Sequence, residues 1–257
     1  MYWAGRLLVQ QRPAIDIQHR AVRRGVTSLT QPATMSPQQR NQLRRTFRKD
    51  LKAPVKLRLF TRTPSPISIP GRDCPSCAQT RQLIEEVAES SPKIDLEVID
   101  FYGEPQTAQD LSVARIPAIL IGNDEPPRMV FYGIPLAYQM AAIVETIRSV
   151  SRGTSSLQND SRRKLRRISR PVRMQVMVTP EDQASAEAAC LAYSLSRESA
   201  NIFAEAVQLR DFPNLARSLG IQEVPTVILN EFHRLTSPVT ESTLVERILL
   251  AAGLESS

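Results

Sequence analysis

The stretch VKLRLFT at residues 55–61 and the pentapeptide DCPSC at residues 73–77 decide how the fold of this chain is interpreted. VKLRLFT is short and rich in apolar and branched side chains, which is typical of a buried strand. A helical pattern follows DCPSC, with Leu83 and Ile84 on its apolar face and Glu86 turned largely away. The two cysteines are therefore expected where a strand hands over to a helix.

An internal repeat extends this pattern over the rest of the chain. When the sequence is shifted by 108 positions, Cys74 falls on Asp182 and Pro117 falls on Pro225. The two positions are 43 residues apart in each half, and many apolar positions between them also coincide. A register without gaps over that length indicates two related units.

Both units have the same predicted order of elements. A first strand (VKLRLFT or VRMQVMVT) is followed by a helix, a second strand (IDLEVIDF or IFAEAVQL), a short helix and a third strand (IPAILIG or VPTVILN). The closing helices are predicted at residues 135–149 and 238–252. This order predicts right-handed crossover connections that bury the sheet between helices.

The positive charge of the chain is concentrated near its start. Residues 1–50 hold ten Arg and Lys against two Asp, whereas the whole chain carries +7, so the remaining 207 residues sum to −1. This distribution argues against a core that grips phosphates. We interpret residues 1–38 as a disordered basic leader, residues 39–152 as the first unit and residues 153–257 as the second.

The leader leaves two questions open. A transit peptide is an alternative interpretation of its Arg-rich composition, and Met35, followed by a Ser36 helix cap, is an alternative start of the ordered protein. No run approaches the roughly eighteen apolar residues that span a bilayer. The start, MYWAGRLLVQQRP, lacks the pattern of a secretory signal. The sequence therefore predicts a cytoplasmic protein without membrane or nucleic-acid partners.

The Cys-x-x-Cys spacing suits thiol-disulfide exchange. A cysteine at a helix start is stabilised as a thiolate, and the pKa of such thiols falls from about 8.5 to about 3.5–7.5. Cys74 is the predicted attacking sulfur, and Cys77, one turn deeper, is placed to resolve a mixed disulfide. Pro75 fits the first helical position, where no N–H is needed.

Three other interpretations of the cysteine pair stay open on the residues alone. A zinc site needs about four ligands, and besides Cys190 the chain offers only His19 and His233. A purely structural bridge over four residues would remove little chain entropy. Two unreactive buried thiols are the third interpretation, since cysteine is often buried.

The second unit departs from the first at its motif. DQAS puts Asp182 and Ser185 at the sulfur positions, so this unit is predicted to be redox-silent, with Asp182 as a helix cap worth about 1 kcal/mol. Cys190 falls on an apolar helical stripe and is expected to pack in the core, with a reactive thiol as the alternative. The first unit also carries an insertion, RTPSPISIPG, at residues 62–71, which either shapes substrate access or is a tolerated surface loop.

Two prolines complete the pattern. Ile116-Pro117 and Val224-Pro225 each open an apolar run, which marks a strand start. With the CPSC motif they make the chain resemble the thioredoxin superfamily. The segments PVKLRLFTR, VFYGIPLAYQMAAIVETIRSVSRG and EVPTVILN, within about residues 40–252, are similar to the glutaredoxin-like protein disulfide oxidoreductases, which fuse two thioredoxin folds in one chain.

The resemblance implies an α/β fold of two tandem thioredoxin-like units, each with a mixed sheet flanked by helices. It also implies that Pro117 is cis and that Pro75, Ser76, Ile116 and Pro117 contact the substrate. Thioredoxins use a buried acid as a proton relay, and VKLRLFT contains no such carboxylate. The proton of Cys77 is therefore expected to leave through water or another group.

These observations predict a protein thiol-disulfide oxidoreductase that exchanges two electrons through Cys74 and Cys77, without a bound cofactor or metal. Its expected partners are protein disulfides, with a thioredoxin-reductase-like flavoenzyme or a small thiol as the electron donor. The alternative is a non-catalytic adaptor that binds client proteins through the thioredoxin fold.

Overall fold

The computed structural model describes residues 34–64 and 71–254. The first half contains α1 (Pro37–Asp50), β1 (Val55–Thr61), α2 (Cys77–Ala88), β2 (Ile94–Asp100), α3 (Pro105–Asp110), β3 (Ala118–Ile121), β4 (Met129–Tyr132) and α4 (Tyr138–Arg152). The second half contains α5 (Asn159–Leu165), β5 (Val172–Val178), α6 (Gln183–Glu198), β6 (Ile202–Gln208), α7 (Pro213–Ser218), β7 (Thr226–Leu229), β8 (His233–Thr236) and α8 (Glu241–Ala251). Most of the predicted leader (residues 1–33) and residues 65–70 of the insertion lie outside the described residues.

The first described helix begins as its sequence predicts. The Ser36 side chain accepts a hydrogen bond from the Gln39 amide at 3.2 Å, and the Gln39 side chain accepts one from the Ser36 amide at 2.8 Å. This reciprocal capping satisfies two of the amides that a helix leaves unpaired at its start. The boundary predicted at residue 38 therefore falls within the first turn of α1, and the division into units stays a prediction.

Glu86 differs from its expected position on a solvent-facing side of α2. Its carboxylate accepts a hydrogen bond from the Met35 amide at 2.8 Å and lies 3.5 Å from the Arg40 guanidinium. Its side chain is only 10% exposed, because the start of α1 covers this face of α2. The prediction that Glu86 lies on the helix face opposite the apolar one can stand, but the local sequence pattern could not show that α1 packs over that face.

The eight strands form one mixed sheet in the order β2-β1-β3-β4-β6-β5-β7-β8. In the first half β1 pairs parallel to β2 and antiparallel to β3, which pairs antiparallel to β4, and β6, β5, β7 and β8 repeat this arrangement. The structure thus confirms the α/β class and the two tandem units with a mixed sheet.

The expectation of two crossover connections per unit is wrong for the second one. The β1-α2-β2 and β5-α6-β6 connections join parallel strands, whereas α3 and α7 lead into the antiparallel strands β3 and β7. Each of these short helices has six residues, which span about 9 Å, and a seven-residue strand spans about 23 Å. The chain therefore stays near the edge where β2 or β6 ends and re-enters the sheet in the opposite direction.

The two units join along β4 and β6, which pair in parallel from Met129 opposite Ala204 to Tyr132 opposite Val207. Side chains reinforce this joint. The guanidinium of Arg128 donates to the backbone carbonyls of Ser196 at 2.6 Å and Ser199 at 2.7 Å, at the end of α6. One continuous sheet therefore crosses the chain from the first unit to the second.

The sheet is buried on both faces. Leu57 and Leu59 of β1 belong to the larger apolar cluster, which includes side chains of α2, α4, α6 and α8, whereas Phe60 belongs to a smaller cluster on the other face. Alternating side chains of one strand point to opposite faces of a sheet, so both faces must be apolar here. This explains the near-continuous apolar runs that the sequence shows in its strands.

The repeat is visible in the structure itself. The elements β6, α7 and β7 begin 108 residues after β2, α3 and β3, and the Ile116-Pro117 and Val224-Pro225 peptide bonds are both cis. The prediction that Pro117 is cis is confirmed. Three short elements, β4, β8 and α5, are four to seven residues long and were not predicted from the sequence. The connection between the two units is short, because α4 extends to Arg152 and α5 begins at Asn159.

Candidate active site

The two cysteines of the CPSC motif form a disulfide at the carboxyl end of β1. Cys74 and Cys77 have Cα atoms 5.4 Å apart, and the Cys77 amide donates to the Cys74 carbonyl at 3.3 Å, which closes a tight turn. Cys74 is half-buried, whereas Cys77 is only 3% exposed. The accessible sulfur of the pair is therefore the one predicted to attack.

The helix begins later than the sequence predicted. Helix α2 starts at Cys77 with Ser76 as its cap, so Pro75 lies in the preceding turn and not at the first helical position. In the second unit α6 starts at Gln183, which is the position equivalent to Pro75. The disulfide closes residues 74–77 into a separate turn, and Cys74 lies two residues before the helix cap, next to the end of α2 where amides are left without helical partners.

Ser76 anchors the redox turn to the first turn of α2. Its carbonyl accepts a hydrogen bond from the Thr80 amide at 2.9 Å and another from the Thr80 hydroxyl at 2.8 Å. Thr80 is fully buried, so this attachment is shielded from water. The backbone of the turn is therefore fixed relative to the helix while Cys74 stays accessible.

The cis-proline loop lies at the same edge of the sheet as the redox turn. Because β3 runs antiparallel to β1, with Phe60 opposite Ala118, the residues preceding β3 lie beside the carboxyl end of β1. Pro117 is buried and its carbonyl accepts a hydrogen bond from the Gly133 amide at 2.9 Å, whereas Ile116 is half-buried. The fold thus brings Pro75, Ser76, Ile116 and Pro117 to one edge.

A carboxylate that was not predicted from the sequence reaches this edge from the second unit. Asp211, in the loop between β6 and α7, accepts a hydrogen bond from the Ile134 amide at 2.8 Å and one from the Ser76 side chain. Burial raises the pKa of Asp211, while the Ile134 amide and the Ser76 hydroxyl act in the opposite direction. Under the 108-residue shift Asp211 falls on Gly103, so the repeat gave no signal for it.

Gly133 makes the close approach of Asp211 feasible. Its backbone has a φ of +104°, and a Cβ atom at this position would lie 2.5 Å from the Asp211 carboxylate and 2.7 Å from the Gln208 Cβ. Any other residue would collide with the second unit at this point. Gly133, within the segment VFYGIP, was not predicted to have a role of its own. In the structure it lies where the two units touch beside the redox turn.

The DQAS motif of the second unit forms the start of a helix. The Asp182 carboxylate accepts a hydrogen bond from the Ser185 amide at 2.7 Å and caps α6, which confirms its prediction as a helix cap. Neither Asp182 nor Ser185 carries sulfur. The corresponding proline, Pro225, is cis like Pro117, so the surrounding backbone is retained without the couple.

Cys190 lies away from this edge, on the face of α6 that packs against α4. Its sulfur is half-buried and lies 3.8 Å from the Ala142 carbonyl. Burial, together with the nearby carboxylates of Glu145 and Glu187, raises the pKa of Cys190 to about 11. A thiol with this pKa is protonated at neutral pH, which agrees with the packing role that the sequence predicted.

The described ends of the insertion are tied to the redox edge. The Arg62 guanidinium donates to the Arg72 carbonyl at 3.1 Å and lies 3.5 Å from the Asp73 carboxylate. The Arg72 guanidinium stacks over the Tyr102 ring at 4.8 Å. The pKa of Asp100 at the end of β2 is lowered, chiefly by a hydrogen bond from the Thr63 side chain. The segments on either side of residues 65–70 are therefore fixed.

Within residues 34–64 and 71–254, no group of three or more His, Cys, Asp and Glu side chains is arranged to hold a metal ion. Over the same ranges, no helix has the length and apolar character needed to cross a membrane.

The first unit matches known proteins by sequence. A family model described as a thioredoxin domain matches residues 66–145. A thioredoxin from Methanocaldococcus jannaschii is 33% identical over 95 residues, which cover 37% of this chain and 93% of that protein. The match therefore extends over almost the entire length of a protein made of a single unit.

Solved structures resemble both units together. A protein disulfide oxidoreductase from Aeropyrum pernix superposes with a TM-score of 0.76 at 22% identity, covering 86% of this chain and 96% of that one. The NTD_N/C domain of alkylhydroperoxide reductase AhpF from Enterococcus faecalis superposes with a TM-score of 0.72 at 18% identity, covering 83% and 99%. At these identities the likeness shows the fold, and it extends across the joint between the units.

Proposed function

Because the chain belongs to the thioredoxin family and carries a disulfide within its CPSC motif, it is a thiol-disulfide oxidoreductase, and we propose that Cys74 attacks while Cys77 resolves. The observation that carries this proposal is the unequal exposure of the two sulfurs. Cys74 is half-buried and reachable, whereas Cys77 is almost completely covered. An incoming disulfide meets Cys74 first.

In the first step the reduced enzyme attacks a disulfide of the substrate. The Cys74 thiolate forms a bond to one substrate sulfur, the substrate S–S bond breaks, and the second substrate sulfur leaves as a thiolate that takes up a proton. The helix start behind Cys74 stabilises the negative charge that the sulfur carries before the attack. The product is a mixed disulfide between Cys74 and the substrate.

In the second step Cys77 releases the substrate. Its thiol loses a proton and attacks the Cys74 sulfur, the mixed disulfide breaks, and the reduced substrate departs as a thiolate. Two electrons have then passed from the dithiol to the substrate, and the Cys74–Cys77 disulfide is restored. The closed turn of residues 74–77 supports this step, because it already holds the two sulfurs at bonding distance.

We propose that Pro75, Ser76, Ile116 and Pro117 bind the substrate backbone around the scissile disulfide. Pro75 is exposed beside Cys74, and Ile116 and Pro117 lie at the start of β3 at the same edge. The Pro117 carbonyl is occupied by the Gly133 amide, which leaves the backbone of Ile116 as the group that pairs with an extended substrate. Pairing through the backbone would require an extended conformation of the substrate and would tolerate many different substrate sequences.

The remaining assignments also belong to this proposal. Residues 39–152 form the catalytic unit, and residues 153–257 form a redox-silent unit that supplies surface and stability. Members of the thioredoxin family act on protein disulfides, and we propose such substrates here, with a thioredoxin-reductase-like flavoenzyme or a small thiol as the donor. The protein works in the cytoplasm and needs no cofactor beyond its own disulfide.

Reduction of insulin disulfides with dithiothreitol as the electron source tests the proposal. Cys74→Ser is expected to lose nearly all of the accelerated turnover, because it removes the attacking sulfur. Cys190→Ser is the matched control, since it also replaces a cysteine by serine, and it is expected to retain wild-type turnover. Wild-type activity in Cys74→Ser would reject catalysis and favour the adaptor function.

A further inference from the structure

The second unit has no sulfur pair, but it places a carboxylate at the redox turn of the first unit. We propose that Asp211 is a positioning residue for the Cys74–Cys77 couple, which acts through Ser76 and disfavours the reduced form of the couple by its negative charge. This inference rests on the proposed function of the pair. It assigns the silent unit a direct influence on the redox chemistry.

The position of Asp211 is fixed by the joint between the units. The Ile134 amide donates to its carboxylate at 2.8 Å, and the missing side chain of Gly133 provides the space that the same oxygen fills. Neighbouring backbone atoms tie the first unit to the second, since the Tyr138 amide donates to the Pro180 carbonyl at 3.2 Å. The carboxylate therefore cannot swing away without opening the joint.

Asp211 contacts both segments that surround the disulfide. It accepts a hydrogen bond from the Ser76 side chain, within the CPSC turn. On its other side, the Ile134 amide follows Gly133, whose own amide holds the Pro117 carbonyl at 2.9 Å. A single side chain from the second unit thus connects the redox turn to the cis-proline loop.

The cations on neighbouring segments have other partners. Arg210 lies 2.6 Å from the Glu181 carboxylate, and Arg62 pairs with Asp73 at 3.5 Å. The Arg115 guanidinium stacks on two aromatic rings, those of Tyr132 at 5.1 Å and Phe212 at 5.7 Å. The two groups that bind the Asp211 carboxylate, the Ile134 amide and the Ser76 hydroxyl, are uncharged. Its negative charge therefore has no cation in direct contact among these groups, and its hydrogen bond from Ser76 places it beside the redox turn.

The redox consequence follows from the charge balance of the couple. The disulfide is uncharged, whereas its reduction by two electrons and one proton gives one thiol and one thiolate. A like charge close to a thiolate raises the pKa of the thiol, and each unit of pKa corresponds to a factor of about ten in the equilibrium. In addition, the Ser76 hydroxyl can donate only one hydrogen bond. Because it donates this bond to Asp211, it cannot donate one to the Cys74 thiolate. Both effects make the couple more reducing.

Equilibration of the couple in a series of glutathione buffers tests this inference. Asp211→Asn removes the charge and keeps an oxygen that accepts from the Ile134 amide. We expect the equilibrium to shift about tenfold towards the dithiol, which corresponds to about 30 mV for a two-electron couple. Alkylation of Cys74 at pH 6 is expected to become several-fold faster. Asp211→Ser removes the same charge and takes the place of the first variant if that variant does not fold.

Two controls separate the charge from the structure. Glu246→Gln removes an exposed carboxylate of α8 in the same unit and is expected to stay within twofold of the wild type. Asp211→Glu keeps the charge and is expected to retain most of the wild-type potential. A shift below twofold in the uncharged Asp211 variants, or an equal shift in Glu246→Gln, would overturn the inference. Wild-type turnover of insulin in those variants would leave the proposed function intact. A wild-type couple that does not cycle at all would reject both.

Discussion

Replacing Gly133 with alanine tests how tightly the two units pack beside the redox turn. A side chain at a φ of +104° strains the backbone by about 1–3 kcal/mol. The added Cβ would also lie 2.5 Å from the Asp211 carboxylate and 2.7 Å from the Gln208 Cβ, both far inside contact distance. Overpacking of this kind costs about 1–3 kcal/mol more, so the total loss of stability is expected to be about 2–6 kcal/mol.

Gly122→Ala is the matched control for the backbone term. Gly122 has a φ of +113°, and the closest atom to a Cβ there would be the terminal methyl group of the flexible Met129 side chain at 3.2 Å, with the next atoms at ordinary contact distance, 4.0 Å. Its expected cost is therefore the backbone strain alone, about 1–3 kcal/mol. Urea unfolding of both variants, with equal slopes, gives the difference directly. Equal losses in the two variants would refute the close packing of Gly133 against Asp211.

A double variant identifies the partner of the added methyl group. Combining Gly133→Ala with Asp211→Ala removes the nearest atoms and leaves the contact with Gln208. The two changes are then expected to be less than additive by at least about 0.5 kcal/mol, since they affect the same contact. Strict additivity would place the conflict elsewhere.

Three further predictions concern Asp182, Glu86 and Cys190. Asp182→Ala should lower the unfolding free energy by about 1 kcal/mol, because a helix cap is lost, and leave insulin turnover unchanged; altered turnover would contradict the silent second unit. Glu86→Ala should cost about 1–3 kcal/mol in urea unfolding, because the Met35 amide loses its acceptor. The control Glu89→Ala, at the exposed position directly after the same helix, should stay within about 0.5 kcal/mol. Since burial raises the pKa of Cys190 to about 11, iodoacetamide should modify it slowly at pH 8 in the native protein and faster as the pH approaches 11; rapid labelling at pH 7 would show an accessible thiolate.

The elements that were predicted well are those whose own side chains determine them. The strands β1 and β5 begin at the predicted residues Val55 and Val172, since most positions on both faces of these strands are buried and apolar. By contrast, β8 reads HRLT, with alternating exposed residues, and lies at the edge of the sheet. This segment is a strand because it pairs with β7, and its composition alone does not indicate a strand.

The parts of the site that were missed depend on contacts between distant residues. Ser76, Ile134 and Asp211 are far apart in the sequence, and no local pattern links them. The resemblance points to the segment VKLRLFT for a buried acid, and that segment contains no carboxylate. The structure instead brings a carboxylate to the redox turn across the joint of β4 and β6, which depends on how the two units pair.

The start of α2 shows a different limit. The fit of Pro75 to the first helical position predicted a helix start that is two residues too early, because that preference applies to a helix without a covalent bridge. In the structure, the Cys74–Cys77 disulfide closes a turn of its own, and the helix begins at Cys77. In the second unit, where no bridge forms, Asp182 caps a helix that starts at once.

The midpoint potential of the Cys74–Cys77 couple tests the central claim most directly. Purified protein is equilibrated in a glutathione series, quenched with acid and alkylated, and the fraction of dithiol is read by mass. We expect a single two-electron transition between about −270 and −120 mV, the range of redox-active pairs in this family. A disulfide that stays intact below about −300 mV would be a structural bridge, and that result would contradict the account.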